Sequence, residues 1–112
     1  MTFLTILWWL LVAHAFTDYV FQSDEMVYLK KPGTGRSEDK VGPWWWWMVA
    51  HGMINGAGVG LVTGSTLLAM IETLHHALTD YAKCRGWLST TWDQTSHLFV
   101  KVLYAGALTY GR

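Results

Sequence analysis

Long apolar runs and short polar stretches alternate along this 112-residue chain. Met1 to Ala13 carries no charge and includes TFLTILWWLLVA. Val41 to Ile71 contains no Asp, Glu, Lys or Arg. That run is longer than the ~20 apolar residues that cross a bilayer. Between them, Ser23 to Pro43 holds Lys30, Lys31, Arg36 and Lys40 with Pro32-Gly33, Gly35 and Gly42-Pro43, the composition of a solvated loop. Its first part, Asp24 to Lys31, reads as a short interfacial helix. The pattern predicts helices over 2–22, 44–60, 66–83 and 91–110, with a polar loop over 23–43. Leu61 to Ser65 is the second turn, where Gly64 breaks the helix and Ser65 or Thr66 caps the next. Cys84 to Thr91 forms the third connection. The expected fold is all-α, an integral membrane four-helix bundle forming one domain over 1–112.

Polar residues interrupt these helices at regular intervals. Glu72, His76 and Asp80 are spaced i, i+4, i+8 and share one helical face, with Lys83 a turn beyond. His14, Asp18 and Gln22 form a second stripe, Asp93 and His97 a third, and His51 stands alone in an apolar run. Ionisable groups inside a membrane segment are costly unless paired, so they face the bundle interior and mark function. The bland alternatives are local hydrogen bonds within each His-x3-Asp pair and a hydrogen-bonded core histidine at position 51. His75 points off the face of His76 and reads as structural. Gln22, Gln94 and Asn55 read as helix–helix hydrogen bonds, and Lys101 as snorkelling or pairing with an acid. Lys30, Lys31 and Lys40 read as a solvated, topology-setting face.

Composition sharpens this picture. Hydrophobic residues make up 52% and charged residues only 14%, against roughly 25% charged in ordinary soluble domains. Trp44–Trp47 reads as an anchor at the membrane interface, where an indole keeps its N–H wet. Gly52, Gly56 and Gly60 recur every fourth residue and permit close helix contact. The net charge of zero excludes a nucleic-acid partner, which needs a basic face. The single Cys84 excludes an intramolecular disulfide and a cysteine zinc knuckle; it reads as a small interfacial hydrophobe.

Lys30, Lys31, Arg36, Lys40, Lys83 and Arg85 fall in or beside loops one and three, and loop two has no Lys or Arg. The positive-inside bias then places loops one and three in the cytoplasm. The expected location is the inner (cytoplasmic) membrane, multi-pass, with both termini periplasmic. All four polar sets come to lie in the cytoplasmic half.

Imidazole with carboxylate suits zinc, iron or manganese. The candidate ligands are His14, Asp18, His51, His76, Asp80, Asp93 and His97. Seven exceed one tetrahedral shell: either two divalent ions are held, or one is held and some carboxylates only orient histidines. An open coordination position would lower the pKa of a bound water towards ~7. Glu72 is the candidate general base, and Lys83 with Arg85 at the rim could hold a phosphate or carboxylate head group. The partners implied are the lipid bilayer and an amphipathic small-molecule substrate, with an oligomer allowed.

HAFTDYVFQSDEMVYLKK, a lone AHG, LHHALTDYAKCR and WDQTSHL, in this order, resemble the bacterial and phage membrane proteins grouped as domain of unknown function 3307. The resemblance covers nearly the whole chain. It maps onto His14, Asp18, Gln22, His51, His76, Asp80, Lys83, Asp93, Gln94 and His97. The tetratryptophan and the glycine-rich loop after Pro32 depart from the family pattern. The layout is similar to predicted membrane-bound metal-dependent hydrolases, and the family implies a phage or prophage setting. Hydrolysis of a lipid-linked ester or phosphoester is therefore the first expectation. The alternatives are a non-enzymatic phage exclusion or host-modifying factor, and a conduit for protons or metal ions.

Overall fold

The computed structural model describes residues 2–20, 30 and 42–111. Four helices follow one another: α1 (Phe3–Ala15), α2 (Trp44–Thr63), α3 (Thr66–Cys84) and α4 (Thr90–Tyr110). A π-helical turn, Phe16–Val20, continues α1. The all-α, four-helix expectation holds, and the starts of the last three helices fall within a residue of those predicted. The interfacial helix over 24–31 and Gln22 lie outside the described residues.

Local chemistry sets these boundaries. Ser65 Oγ accepts from Leu68 N at 3.1 Å and Ser89 Oγ from Trp92 N at 3.2 Å, so each serine caps the helix that follows it. Gly64, at φ 69°, ends α2 in the left-handed conformation that favours glycine. The helix therefore runs three residues past its expected end. The π turn was not expected. Thr17 Oγ1 lies 2.9 Å from the Ala13 carbonyl oxygen and 2.7 Å from Asn55 Oδ1, and its one hydrogen is shared between them, which competes with the regular backbone ladder.

α2 lies close against α3 because both present small residues there. A Cβ on Gly52 would sit 2.9 Å from the Thr73 carbonyl oxygen, and one on Gly60 3.2 Å from Ala69 Cβ. The predicted glycine stripe is thus a contact surface. α1 packs on α2 at Gly58, beside Thr17 and Ala13. α1 and α4 run antiparallel, with Phe3 and Tyr110 rings 6.3 Å apart at one end.

The interior divides in two. Ile6, Leu10, Val59, Tyr104 and Ala105 fill the half holding the start of α1 and the end of α4. The half beside the α3–α4 turn is polar. Among the described residues, twelve buried side chains are polar or charged and six are hydrophobic. The exterior is the reverse: Leu4, Leu61, Leu67, Leu74, Leu78 and Phe99 are each more than 60% exposed. Among the described residues, no helix is long and apolar enough to cross a membrane. Helix by helix, apolarity therefore does not support four membrane spans.

Candidate metal centre

α3 and α4 are joined by a short turn, and their polar stripes meet rung by rung. Next to the turn, Asp80 and Asp93 face each other across Lys83, whose Nζ is 3.3 Å from Asp80 Oδ1 and 3.6 Å from Asp93 Oδ2. One helical turn further in, the His76 and His97 rings stack at 4.1 Å with planes 16° apart. One more turn in, Lys101 Nζ holds both oxygens of Glu72 at 2.5 and 2.9 Å. Four-residue spacing on both helices makes this ladder inevitable once one rung is set.

α1 and α2 close the other side. Asp18 Oδ1 lies 3.1 Å from His51 Nε2 and 3.4 Å from His76 Nε2, and those two nitrogens are 3.0 Å apart. Three donor atoms from three elements thus form a triangle. An ion bonded at about 2.1 Å holds neighbouring donors roughly 3.0 Å apart at right angles and about 3.4 Å apart at tetrahedral angles. The triangle matches this range of edges. His97 Nε2 and Asp93 Oδ1 lie 3.2 Å apart without hydrogen-bonding geometry, as donors converging on a shared point do. Two overlapping groups are positioned to hold a metal ion, Asp18–His76–His97 and His51–His76–Asp80. All five of these residues are buried.

The expected ligands therefore meet, but not on equal terms. Gln94 sits at their centre. Its Nε2 donates to Asp18 Oδ2 at 2.9 Å and lies 3.3 Å from Asp93 Oδ2. Carboxylates only accept, so the amide nitrogen must face them and Oε1 must face Tyr19 and His14. Tyr19 donates its hydroxyl hydrogen to Oε1 at 2.8 Å. His14 Nε2, 3.1 Å from Oε1, then carries a hydrogen. That nitrogen orients Gln94 and has no lone pair for a metal. The Nδ1 atoms of His14, His51, His76 and His97 are buried, with no hydrogen-bond partner among the described residues.

Several expectations change. Glu72, the expected general base, has its carboxylate engaged by Lys101 at both oxygens, so the expected pairing of Lys101 with an acid is what occurs. Lys30, expected on a solvated face, is buried, with its ammonium 2.5 Å from Asp80 Oδ2. Burial of an ammonium requires such an opposing carboxylate. Lys83, the other expected catalytic side chain, is half-buried between two aspartates. Asn55 and Gln94 do make helix–helix hydrogen bonds. His75 turns away from the triangle and bonds Ser96 at 3.0 Å. Arg85 is exposed beside the Trp87 ring, 5.6 Å from its centroid. Periodicity missed Lys30, fifty positions from its partner, and undervalued Gln94, although Gln94 adjoins a stripe residue.

The sequence pattern that defines DUF3307, a family described as proteins of unknown function, matches residues 6–110, and the chain belongs to that family. No curated protein and no solved structure matches the chain.

Proposed function

We propose that this DUF3307 protein is an integral-membrane, metal-dependent hydrolase acting on an amphipathic or lipid-linked ester or phosphoester. The observation that carries the reading is the Asp18–His51–His76 triangle, placed inside a bundle whose exterior is apolar.

The membrane component rests on the inverted distribution. In water, folding is driven by hiding apolar surface, and charged groups stay outside unless paired. Here Leu61 is 87% exposed while His51, Glu72 and His97 are 0% exposed. Lipid favours this arrangement, because apolar side chains face the tails and ionisable ones face the bundle interior. Mean apolarity of a single helix misses it, since α3 gathers Glu72, Asp80 and Lys83 on one stripe. α2, α3 and α4, at 20, 19 and 21 residues, reach roughly 30 Å at 1.5 Å per residue. Around the polar end, Trp44 stacks on Tyr81 at 5.4 Å and Trp87 meets Tyr81 edge-on at 5.7 Å, while Trp45, Trp46 and Trp92 are exposed. Such rings suit the headgroup level.

In this reading a bound divalent ion supplies Lewis acidity to the reacting ester. The chain supplies the rest. Asp18, His51 and His76 would hold the ion, and Gln94 fixes Asp18. His97, whose Nε2 lies 3.2 Å from Asp93 Oδ1 and whose ring stacks on His76, is the candidate base. The conduit alternative is disfavoured by the plug of Ile6, Leu10, Val59 and Tyr104, which fills the other half of the bundle.

Protein purified in detergent without chelators should carry near-stoichiometric zinc, iron or manganese, lost on His76→Ala. It should also hydrolyse a phosphodiester or carboxylic ester of a long-chain alcohol in mixed micelles. Metal-free protein would sink the metal reading. A monomer that stays soluble without detergent would sink the membrane one.

A further inference from the structure

We infer that the centre holds one ion rather than two, and that the Lys30 ammonium stands where a second cation would sit. This rests on the metal-binding reading above. Both candidate donor groups require His76. An imidazole Nε2 offers one lone pair and serves one ion. The second group adds only Asp80 to the His51 and His76 already present in the triangle with Asp18.

Asp80 is already held at both oxygens. Lys30 Nζ lies 2.5 Å from Oδ2, and Lys83 Nζ lies 3.3 Å from Oδ1. Both the Lys30 and Asp80 side chains are 2% exposed. A divalent ion on that carboxylate would lie about 2.0–2.2 Å from an oxygen. At Oδ2 it would share one oxygen with the ammonium, and two cations on one buried oxygen repel each other. At Oδ1 it would face the Lys83 charge, 3.3 Å from that oxygen. Asp93 shares Lys83 at 3.6 Å. Two aspartates thus face two ammoniums, and Asp18, turned to His51, His76 and Gln94, is the carboxylate placed among the histidine nitrogens. The pair Lys30–Asp80 neutralises the wall of the site without coordination. Asp80, a candidate ligand by spacing, becomes a lysine anchor.

The test compares wild type, Asp80→Asn, Lys30→Met and the double variant, each purified in detergent, stripped of metal and titrated with zinc. Bound metal is counted by mass spectrometry, and affinity is read by calorimetry. Wild type should take one equivalent. Asp80→Asn should still take one, with at most the roughly 10–100-fold weakening of an outer-sphere change. Lys30→Met should still take one, because both groups share His76, but adding Asp80→Asn to it should now weaken zinc by more than that margin, because an Asp80 relieved of Lys30 can reach the ion. Two equivalents in wild type, or none in Asp80→Asn, would overturn the inference, as would a folded Lys30→Met whose zinc affinity is no more sensitive to Asp80→Asn than that of wild type. Should Lys30→Met fail to fold, wild type and Asp80→Asn decide. An absence of zinc from wild type itself refutes the metal reading beneath the inference, an outcome distinct from two equivalents.

Discussion

Lys101→Met isolates the deepest rung of the ladder. Lys101 and Glu72 are 1% and 0% exposed, and their charged atoms are 2.5 and 2.9 Å apart. At an effective dielectric near 20, unit charges about 2.7 Å apart attract by roughly 6 kcal/mol. Removing two ions from water costs several kcal/mol each, so the pair as a whole is close to neutral against apolar replacements. Removing one partner is different. Methionine keeps most of the lysine stem volume but leaves the Glu72 carboxylate buried and unopposed by Lys101. The expected loss is about 3–5 kcal/mol, while Glu72→Leu combined with Lys101→Met should return to within ~1 kcal/mol of wild type. The assay is denaturing-detergent unfolding followed by tryptophan fluorescence, run as a double-mutant cycle. If Lys101→Met costs less than ~1 kcal/mol, or if the two changes simply add, the pair is not coupled and the reasoning fails.

Four further outcomes follow from packing at two glycines, from one hydrogen-bond direction and from the loop charges. A Cβ on Gly56 would overlap Thr73 Oγ1 and lie 2.6 Å from the Ala69 carbonyl oxygen; Gly56→Ala should cost about 1–3 kcal/mol by overpacking. Gly106→Ala, where nothing lies within 4 Å, should be neutral or stabilising in the same unfolding assay. His14→Ala should retain bound metal and His51→Ala should lose it, because His14 Nε2 donates to Gln94 while His51 Nε2 faces Asp18; metal analysis of the two variants decides. In a Cys84→Ser background, an impermeant thiol reagent added to intact cells should label Gly64→Cys and spare Gly33→Cys, as the charge bias of the loops requires; the reverse would place the polar half at the other leaflet.

Much of the architecture could be read from spacing alone. Glu72, His76 and Asp80 announce the inward face of α3, and Asp93 and His97 that of α4. Gly64 and Ser65 mark a real boundary. What periodicity reports, however, is which side of a helix is polar, never what that side meets. Lys101 follows His97 by four and Glu72 precedes His76 by four, so both belonged to visible stripes. Their partnership needed the register between helices. The role of His14 depended on a hydrogen-bond direction, fixed only once Gln94 was seen against two carboxylates. Lys30 gave no signal, because a lysine in a polar, glycine-rich stretch looks like any other solvated lysine.

The agreement in depth among the polar sets has two separate physical origins. For α3 and α4 it follows from the short turn Arg85–Ser89, held by Gly86 at φ 78° and by the Ser89 cap. With Asp80 and Asp93 brought together beside that turn, every four-residue step inward on one helix is matched on the other, and His76 must meet His97 and Glu72 must meet Lys101. A one-residue change in the turn would rotate each rung out of line at once. No short turn joins α1 to α2, so their register needs other determinants. Gly58 lets α1 approach until Thr17 reaches Asn55 at 2.7 Å. The π turn then carries Asp18 round to His51 rather than letting it drift along the regular helix. Close approach of small residues on one side and turn geometry on the other bring three donor atoms within 3.4 Å of one another. The polar interior is thus specified twice, by different means, around an exterior that gives water little to solvate.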